Sequence, residues 1–300
     1  MFDTINLKTH IYIHPDYLQQ AKLFTYLQEG EPRTKYTIYD PFLPLIEYTD
    51  YNQLLEIDFS IPKFLFGNNV NLLKESDIPL FLQRLQSRLH ELFNIHVRNE
   101  DWYTKRLDVC WNFPVNDEID DYLKELAAMK FPRMKLETHG ICETVIHKNK
   151  SRRISFYNKY KECISNRQSQ KIIDKAQGLL RMEINLKGKS LSKYSPKRKA
   201  TELLTRSFFD YITQPIVKQI KLSPAIEGLT MEWIKNQPHT LSQIESVLGF
   251  HALHSWLTQS ELKQIYSTTT YDRKVKLSKR LMLPSQKSLK SLTINFAELG

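Results

Sequence analysis

The chain has 300 residues, which is enough for one large domain or two smaller ones with a buried core. A hydrophobic content of 41% and an aromatic content of 11% exclude a disordered protein, and no apolar run approaches the roughly 18 residues of a membrane span. The three cysteines (Cys110, Cys142 and Cys163) are widely spaced with no C-x-x-C pair, so we expect an intracellular protein without a disulfide framework.

The net charge of +10 is unevenly distributed along the chain. Residues 148–199 hold 16 Lys and Arg against three acids, and residues 273–290 hold seven without any acid. Such a concentration of basic residues indicates a polyanionic partner. Nucleic acid is the first candidate and a membrane surface the second. An ordinary solvated basic face is the alternative interpretation.

Hydrophobic periodicity predicts strands in the first part of the chain and helices in the last part. In chain order, strands are predicted at 4–13, 36–40, 54–61, 106–115, 143–148, 152–160 and 179–187, with helices at 77–94 and 117–129 among them. From Thr201 onward the predicted elements are helices, at 201–220, 240–250, 253–266 and 285–292. The sequence thus predicts an α+β domain with an antiparallel sheet over residues 1–199 and a mainly helical region over 200–300.

Four of these strands have an apolar face and a polar one, because successive side chains point to opposite sides of a strand. The predicted polar faces hold Glu56 and Asp58; Arg106 and Asp108; Arg153, Ser155, Tyr157 and Lys159; and Arg181, Glu183 and Asn185. Carboxylates from separate strands are suitable ligands for Mg²⁺ or Mn²⁺. A metal can polarise a phosphodiester that a tyrosine attacks, while basic side chains hold the flanking phosphates. Plain solvent exposure of charged strand positions is the alternative.

The stretch RRISFYNKYKEC (152–163) contains two tyrosines among basic residues. Tyr157 ends the strand on the face shared with Arg153 and Lys159, and we expect these cations to lower the pKa of its phenol. Tyr160 falls where the pattern changes from strand to helix, so stacking or packing is expected for it. A second catalytic role for Tyr160 stays open.

Four sequence blocks resemble the replication-initiator endonucleases of filamentous phages, the gene II protein type, and related rolling-circle initiators. In the family's order these blocks are LEIDFSIPKFLFGNNV (55–70), RLDVCWNF (106–113), RRISFYNKYKEC (152–163) and GLLRMEINLK (178–187). The resemblance implies the rolling-circle nickase fold, a central antiparallel sheet flanked by helices. It also implies a metal-dependent nickase that cuts one strand of a replication origin, keeps a 5′-phosphotyrosine link and leaves a 3′-OH primer.

The same resemblance assigns roles to individual residues. Tyr157 matches the nucleophile and Lys159 a phosphate contact beside it. Asp108 and Glu183 match the acidic strand positions that would hold Mg²⁺ or Mn²⁺, with Glu56 as a third ligand. The expected nucleic-acid contacts are Arg106, Lys150, Arg152, Arg153, Arg181, Lys197, Arg198, Lys274, Lys276 and Arg280.

The partners that follow from the resemblance are double-stranded origin DNA, the nicked single strand, and the helicase and polymerase of a bacterial host, in whose cytoplasm the protein would act. No membrane partner is expected. Two other functions fit the sequence: a non-catalytic nucleic-acid-binding protein in which the tyrosine is a stacking platform, and a plasmid-mobilisation relaxase with the same nicking chemistry. The helical region would bind the duplex, although it shows no clear helix-turn-helix signature.

Overall fold

The computed structural model describes residues 1–140, 143–222, 225–226, 231–281, 286–287 and 289–295. The chain forms two compact units, of which unit 1 is Met1–Leu222 with Ser291–Gly300 and unit 2 is Ser223–Lys290. This division lies later in the chain than the predicted boundary at residues 199 and 200. Residues beyond that boundary still pack in unit 1, where the ring of Phe209 lies 6.3 Å from that of Phe2.

Unit 1 is built on one ten-stranded sheet whose neighbouring strands are all antiparallel. In chain order the strands are β1 (Phe2–His10), β2 (Lys22–Gln28), β3 (Glu31–Ile38), β4 (Leu45–Thr49), β5 (Leu54–Ser60), β6 (Tyr103–Pro114), β7 (Lys135–His139), β8 (Thr144–Lys148), β9 (Arg152–Asn158) and β10 (Leu179–Lys187). They lie side by side in the order β2-β3-β4-β5-β1-β6-β10-β9-β8-β7. The predicted central antiparallel sheet is confirmed.

Eight helices of unit 1 flank this sheet among the residues described. They are α1 (Ile61–Phe66), α2 (Ile78–Phe93), α3 (Ile119–Ala128), α4 (Lys159–Ser165), α5 (Gln170–Lys175), α6 (Gly188–Ser192), α7 (Ala200–Leu203) and α8 (Arg206–Gln219). On α2 the apolar residues Phe81, Leu85, Leu89 and Phe93 are buried at a spacing of four, which places them on one helical face. The predicted helices at 77–94 and 117–129 are confirmed as α2 and α3.

The predicted alternation along the central strands is present. On β5 the side chains of Leu55, Ile57 and Phe59 are buried, while Glu56 and Asp58 between them are partly exposed. On β10 the core face consists of Leu180, Met182, Ile184 and Leu186. The opposite face of these strands therefore collects the polar residues, as period-two patterning requires.

The turn before β10 depends on a glycine. Gly178 has φ +71°, and its carbonyl oxygen accepts hydrogen bonds from the backbone N–H groups of Val115 and Asn116. A Cβ atom at this position would lie 2.9 Å from the Cα of Asn116. Glycine thus allows the close approach that starts the β10–β6 pairing at Leu179 and Pro114.

Several elements differ from the prediction. Strands β2, β4 and β7 were not predicted. The sequences of β2 and β7 lack the alternation of a half-buried strand, and most of their described side chains are exposed. Strand β4 does alternate, with Ile46 and Tyr48 buried, but it has only five residues. The helix predicted over 285–292 is wrong for the residues described, since Gln286–Lys287 pairs as a strand and 289–292 are not helical. The strand predicted over 152–160 ends at Asn158, whose side chain caps α4 by accepting from the N–H of Lys161.

Unit 2 is mainly helical, which confirms a helical C-terminal region. Its elements are β11 (Ala225–Ile226), α9 (Met231–Lys235), α10 (Leu241–Trp256), α11 (Gln259–Ile265), α12 (Thr268–Leu281) and β12 (Gln286–Lys287). The short strands β11 and β12 pair with each other in antiparallel fashion. The predicted helix over 253–266 is interrupted, because α10 ends at Trp256 and α11 begins after Thr258.

Across the parts of the chain that the structure describes, no helix combines the length and the apolar character needed to cross a membrane.

Candidate active site and nucleic-acid interface

One face of the central strands carries polar side chains in register. Antiparallel pairing aligns the side chains of neighbouring strands that point to the same face. Three rows cross β6, β10 and β9 on this face: Asn112, Arg181 and Tyr157; Cys110, Glu183 and Ser155; and Asp108, Asn185 and Arg153. The predicted nucleophile and the two principal predicted carboxylates therefore belong to one surface.

Tyr157 lies near the end of β9, where its hydroxyl donates a hydrogen bond to Glu183 Oε2 at 3.0 Å. Burial raises the pKa of Tyr157 well above its ordinary value, and the negative charge of Glu183 raises it further, while Arg181 acts in the opposite direction. The expected lowering of this pKa by neighbouring cations is therefore wrong. To lose its proton, a phenol in this environment would need a base within hydrogen-bond reach, and Glu183 lies at that distance.

Lys159 lies beneath this surface rather than at the end of the strand. It is the first residue of α4 and is fully buried, with Nζ 3.0 Å from Asn69 Oδ1 and 2.7 Å from Glu162 Oε2. Its Nζ also lies 5.9 Å from the centre of the Tyr157 ring. The predicted position of Lys159 on the exposed strand face is corrected: its side chain is buried, and Asn69 and Glu162 bind its ammonium group.

Tyr160 points into a small apolar cluster in unit 1. It packs against the buried residues Val70, Cys163 and Ala176. This position agrees with the expected packing role.

Arg181 is a buried structural cation in this structure. Its guanidinium forms an ion pair with Asp3 at 2.5 Å (Nη2 to Oδ2) and donates to the backbone oxygen of Asn69 at 2.9 Å and to Asn112 Oδ1 at 3.2 Å. Burial would raise the pKa of Asp3, but Arg181 and the hydroxyl of Ser60, 2.6 Å from Oδ1, hold it below the ordinary value. The prediction of a phosphate contact for Arg181 is corrected, because a fully buried guanidinium with these partners does not face DNA.

Asp108 is a fully buried carboxylate on the same face of the sheet. Arg106 binds both of its oxygens, with Nη2 at 2.5 Å and Nε at 3.1 Å, and Asn185 Nδ2 donates to Oδ1 at 2.6 Å. Burial raises the pKa of Asp108 to about 7; the salt bridge with Arg106 opposes this rise and the charge of Glu183 adds to it. Ionising Asp108 in the folded protein therefore costs more free energy than ionising a carboxyl group in water.

This raised pKa predicts a stability that depends on pH. The pKa of Asp108 is about 7 in the folded state and 3.8 ordinarily. The protonated Asp108 therefore contributes its full stabilisation of the fold below pH 3.8, and this stabilisation is lost as the pH rises towards 7. Relative to Asp108→Asn, the free energy of unfolding of the unsubstituted protein should fall by about 1 kcal/mol per pH unit between pH 4 and pH 7. Urea unfolding in EDTA measures this difference, and parallel pH profiles for the two proteins would contradict it.

The residues described contain no group of three or more His, Cys, Asp or Glu side chains placed to hold a metal ion. Glu56 was predicted as a third ligand, but it lies on β5, with β1 between it and β6. Its oxygens are bound by Lys8 at 2.7 Å and Lys105 at 2.6 Å. That assignment is corrected. Asp108 and Glu183 supply two carboxylates of the kind that Mg²⁺ binds, but Arg106 donates to both oxygens of Asp108, so an ion there would have to displace this pair.

A basic groove of about 650 Å³ lies on the same sheet face, and its lining includes Asn185, the hydrogen-bond partner of Asp108. It is lined by eight basic residues and one acid, Asp58. Five of the predicted nucleic-acid contacts lie here: Arg106, Lys150, Arg152, Arg153 and Arg198. The other three cations, Lys105, Lys148 and Lys187, were not predicted. Lys197 is exposed just before Arg198 but is not part of the lining.

The remaining predicted contacts belong to unit 2. Lys274, Lys276 and Arg280 lie on α12 and line a groove of about 840 Å³ between α10 and α12. Lys276 and Arg280 are exposed. Lys274 is only partly exposed, and its Nζ lies 2.7 Å from Ser246 Oγ of α10.

Sequence reasoning missed the polar residues beneath the surface. Asp3, Asn69 and Asn112 hold the buried guanidinium of Arg181, and Asn69 also accepts from Lys159. The predicted first strand began at Thr4, so Asp3 lay outside it. The available signal was an acidic residue among the apolar Met1, Phe2 and Ile5. A carboxylate in a buried segment is rarely left unpaired, so Asp3 could have been expected to bind a buried cation.

Residues 46–207, just over half of the chain, match the family model of the N-terminal region of the replication-associated phage protein of the gene II type. The matched region contains Asp108, Tyr157, Glu183 and the whole lining of the basic groove except Asn6, and it excludes unit 2. No curated protein matches the chain.

Proposed function

The chain belongs to the replication-associated gene II protein family, and from this membership we propose that it initiates rolling-circle replication by nicking one strand of a duplex origin. One observation carries the proposal: the half-buried Tyr157 donates a hydrogen bond from its hydroxyl to Glu183 at 3.0 Å, on the face of the sheet that also bears the basic groove. A nucleophile paired with a base is the arrangement that covalent catalysis needs.

In the proposed step, Tyr157 Oη attacks the phosphorus of the scissile phosphodiester. Glu183 Oε2 accepts the phenol proton as the new O–P bond forms. The bond from phosphorus to the 3′ oxygen breaks, and that oxygen takes a proton from water to leave as the 3′-OH primer. The 5′ phosphate stays on Tyr157, and attack by a 3′-OH in the reverse direction would rejoin a strand.

The basic groove would hold the DNA strand beside the scissile phosphate. Three of its eight cations are paired with acids outside the lining: Lys105 with Glu56, Arg106 with Asp108, and Lys148 with Glu137. The other five, against Asp58 alone, still give this groove an excess of positive charge. Arg153 lines the groove and also belongs to the row that contains Asp108, so the groove meets the candidate site at this strand. Phosphate contacts of this kind position the nucleic acid without reading its sequence.

The proposed cofactor is Mg²⁺ or Mn²⁺, which Asp108 and Glu183 would hold. When bound there, the ion would neutralise charge on the phosphate that Tyr157 attacks. The Arg106 guanidinium covers the Asp108 oxygens, so a metal would compete with this ion pair. We propose the duplex origin, the nicked strand, and host helicase and polymerase as partners, in the cytoplasm of a bacterial host.

Supercoiled DNA of the protein's own replicon, incubated with and without Mg²⁺, provides the test. We expect open-circular DNA only with the metal, and a labelled 5′ end that stays on the protein after denaturation. EDTA should abolish both products. Duplex binding without a covalent adduct at any metal concentration would instead establish a non-catalytic DNA-binding protein. Nicking only at a transfer origin would indicate a relaxase.

A further inference from the structure

Unit 2 contains three consecutive helices joined by two-residue connections. Leu257 and Thr258 link α10 to α11, and Tyr266 and Ser267 link α11 to α12. Each helix starts at a hydroxyl cap: Thr240, Thr258 and Ser267 accept from the N–H groups of Gln243, Glu261 and Thr270. These short connections place α12 beside both preceding helices, where it shares a buried cluster with α10 and α11.

One side of α12 is fixed by apolar packing. Tyr271 of α12 packs in one buried cluster with Phe250 of α10 and Leu262 of α11. Leu281 packs in a second cluster with Ile244 and Val247 of α10. The opposite side of α12 is therefore directed away from the core of unit 2.

The exposed residues of α12 are all polar or charged. They are Thr268, Thr269, Asp272, Arg273, Lys276, Lys279 and Arg280. Thr269, Arg273, Lys276 and Arg280 follow each other at intervals of four, three and four, which places them along one helical face. All four line the groove between α10 and α12.

Lys274 has a different position from the other cations of α12. Its Nζ lies 2.7 Å from Ser246 Oγ on α10 and 5.5 Å from the centre of the Tyr266 ring. These contacts hold α12 against the rest of unit 2. Lys274 also lines the groove, and the predicted phosphate contacts of Lys274, Lys276 and Arg280 all stay predictions.

We propose that unit 2 is a duplex-DNA reader in which α12 enters the major groove. A 14-residue helix is about 21 Å long, and the major groove of B-DNA admits a helix. Residues near the start of a recognition helix contact base edges. This assigns base contacts to Thr269, Asp272 and Arg273, and phosphate contacts to Lys276, Lys279 and Arg280.

The chemistry of α12 favours DNA over an anionic membrane surface. A helix lying on a membrane presents large apolar side chains beside its cations. The exposed face of α12 has none, because its apolar residues pack into the two clusters or are only partly exposed. Only the identity of the duplex, a replication origin, rests on the proposed function. The inference that α12 binds duplex DNA does not depend on the tyrosine chemistry.

The experiment measures fluorescence anisotropy of the full chain with 30-base-pair duplexes tiled across the replicon's origin, and with a scrambled duplex. The Tyr157→Phe background prevents adduct formation from contributing. Arg273→Ala, Lys276→Ala and Arg280→Ala together should weaken duplex binding by about 100-fold near 0.1 M salt and reduce the log–log salt slope by about two to three. Lys235→Ala, which removes an exposed cation from α9, should leave both values unchanged.

Arg273→Lys separates base reading from charge. It keeps the cation but loses the two-pronged geometry that recognises guanine. Discrimination between the origin duplex and the scrambled duplex should fall about tenfold at an unchanged salt slope. Unchanged discrimination would overturn the base contact of Arg273, and unchanged duplex affinity of the triple variant would overturn the whole proposal.

Two further measurements remove ambiguity. The triple variant with Tyr157 intact should still cleave a single-stranded oligonucleotide, so loss of duplex binding is distinguished from loss of the proposed nicking activity. Thermal unfolding should match the unsubstituted protein, because the replaced side chains are exposed. If the triple substitution reduces binding to vesicles containing phosphatidylserine and leaves duplex binding intact, α12 is a membrane surface and the proposal is wrong.

Discussion

Tyr157→Phe should abolish both nicking and covalent attachment to DNA. The substitution removes the hydroxyl that is hydrogen-bonded to Glu183 and keeps the ring, so the packing of β9 is preserved. Loss of a nucleophile should lower the nicking rate by at least about a thousandfold. Conversion of supercoiled to open-circular DNA measures the rate, and label retained on denatured protein measures the adduct. Origin binding by anisotropy should stay within about twofold, because the basic groove is unchanged.

Tyr160→Phe is the matched control. Its ring packs with Val70, Cys163 and Ala176, and removal of its hydroxyl should leave nicking and adduct formation intact. A labelled phosphotyrosine peptide that maps to residue 160 would show that Tyr157 is the wrong nucleophile. An adduct formed by Tyr157→Phe would have the same meaning. A normal adduct with slower rejoining by Tyr160→Phe would show that the two tyrosines act in turn.

Asp3→Ala should be the most destabilising of these single substitutions. The carboxylate of Asp3 accepts from Arg181 Nη2 at 2.5 Å and from Ser60 Oγ at 2.6 Å, and Arg181 is fully buried. Its removal leaves a buried charge without its counter-ion, which costs about 3–5 kcal/mol. Urea unfolding should show this loss as a lower midpoint at a similar slope.

A surface pair provides the control for this prediction. Asp101 binds Arg98 at 2.8 Å, and the two side chains are 40% and 68% exposed to solvent. Asp101→Ala should therefore leave the midpoint unchanged. Adding Arg181→Met to Asp3→Ala should recover part of the lost stability, because the unpaired charge is removed. Equal stability of Asp3→Ala and the unsubstituted protein would contradict the buried ion pair.

The sheet and the exposed part of the candidate site could be predicted because they depend on local alternation. Period-two patterning placed Glu183 on the same side as Tyr157 and opposite Met182, and the structure confirms that placement. The burial of Arg181 and Lys159 could not be predicted in this way. Their partners Asp3 and Asn69 come from parts of the chain that strand alternation does not connect to them.

Helix α12 was missed for a related reason. Its first residues are three threonines, which favour strands, and only Tyr271, Val275, Leu277 and Leu281 are available for an apolar face. The basic residues of this segment were recognised as a charge run. The helix cap at Ser267 and the packing of α12 against α10 and α11 are seen only in the structure, and they place these basic residues on one exposed face of a helix.

The cross-strand hydrogen bond between Tyr157 and Glu183 has a mechanical consequence for the substrate. Both residues belong to strands paired by the backbone ladder of β9 and β10, so their backbones cannot move without breaking strand pairing. In the proposed reaction the scissile phosphate would therefore approach the sheet, and the energy of distortion would fall on the DNA. Negative supercoiling stores part of that energy in the underwound duplex. Relaxed circles should consequently be poorer substrates than supercoiled ones, even when both contain the same origin.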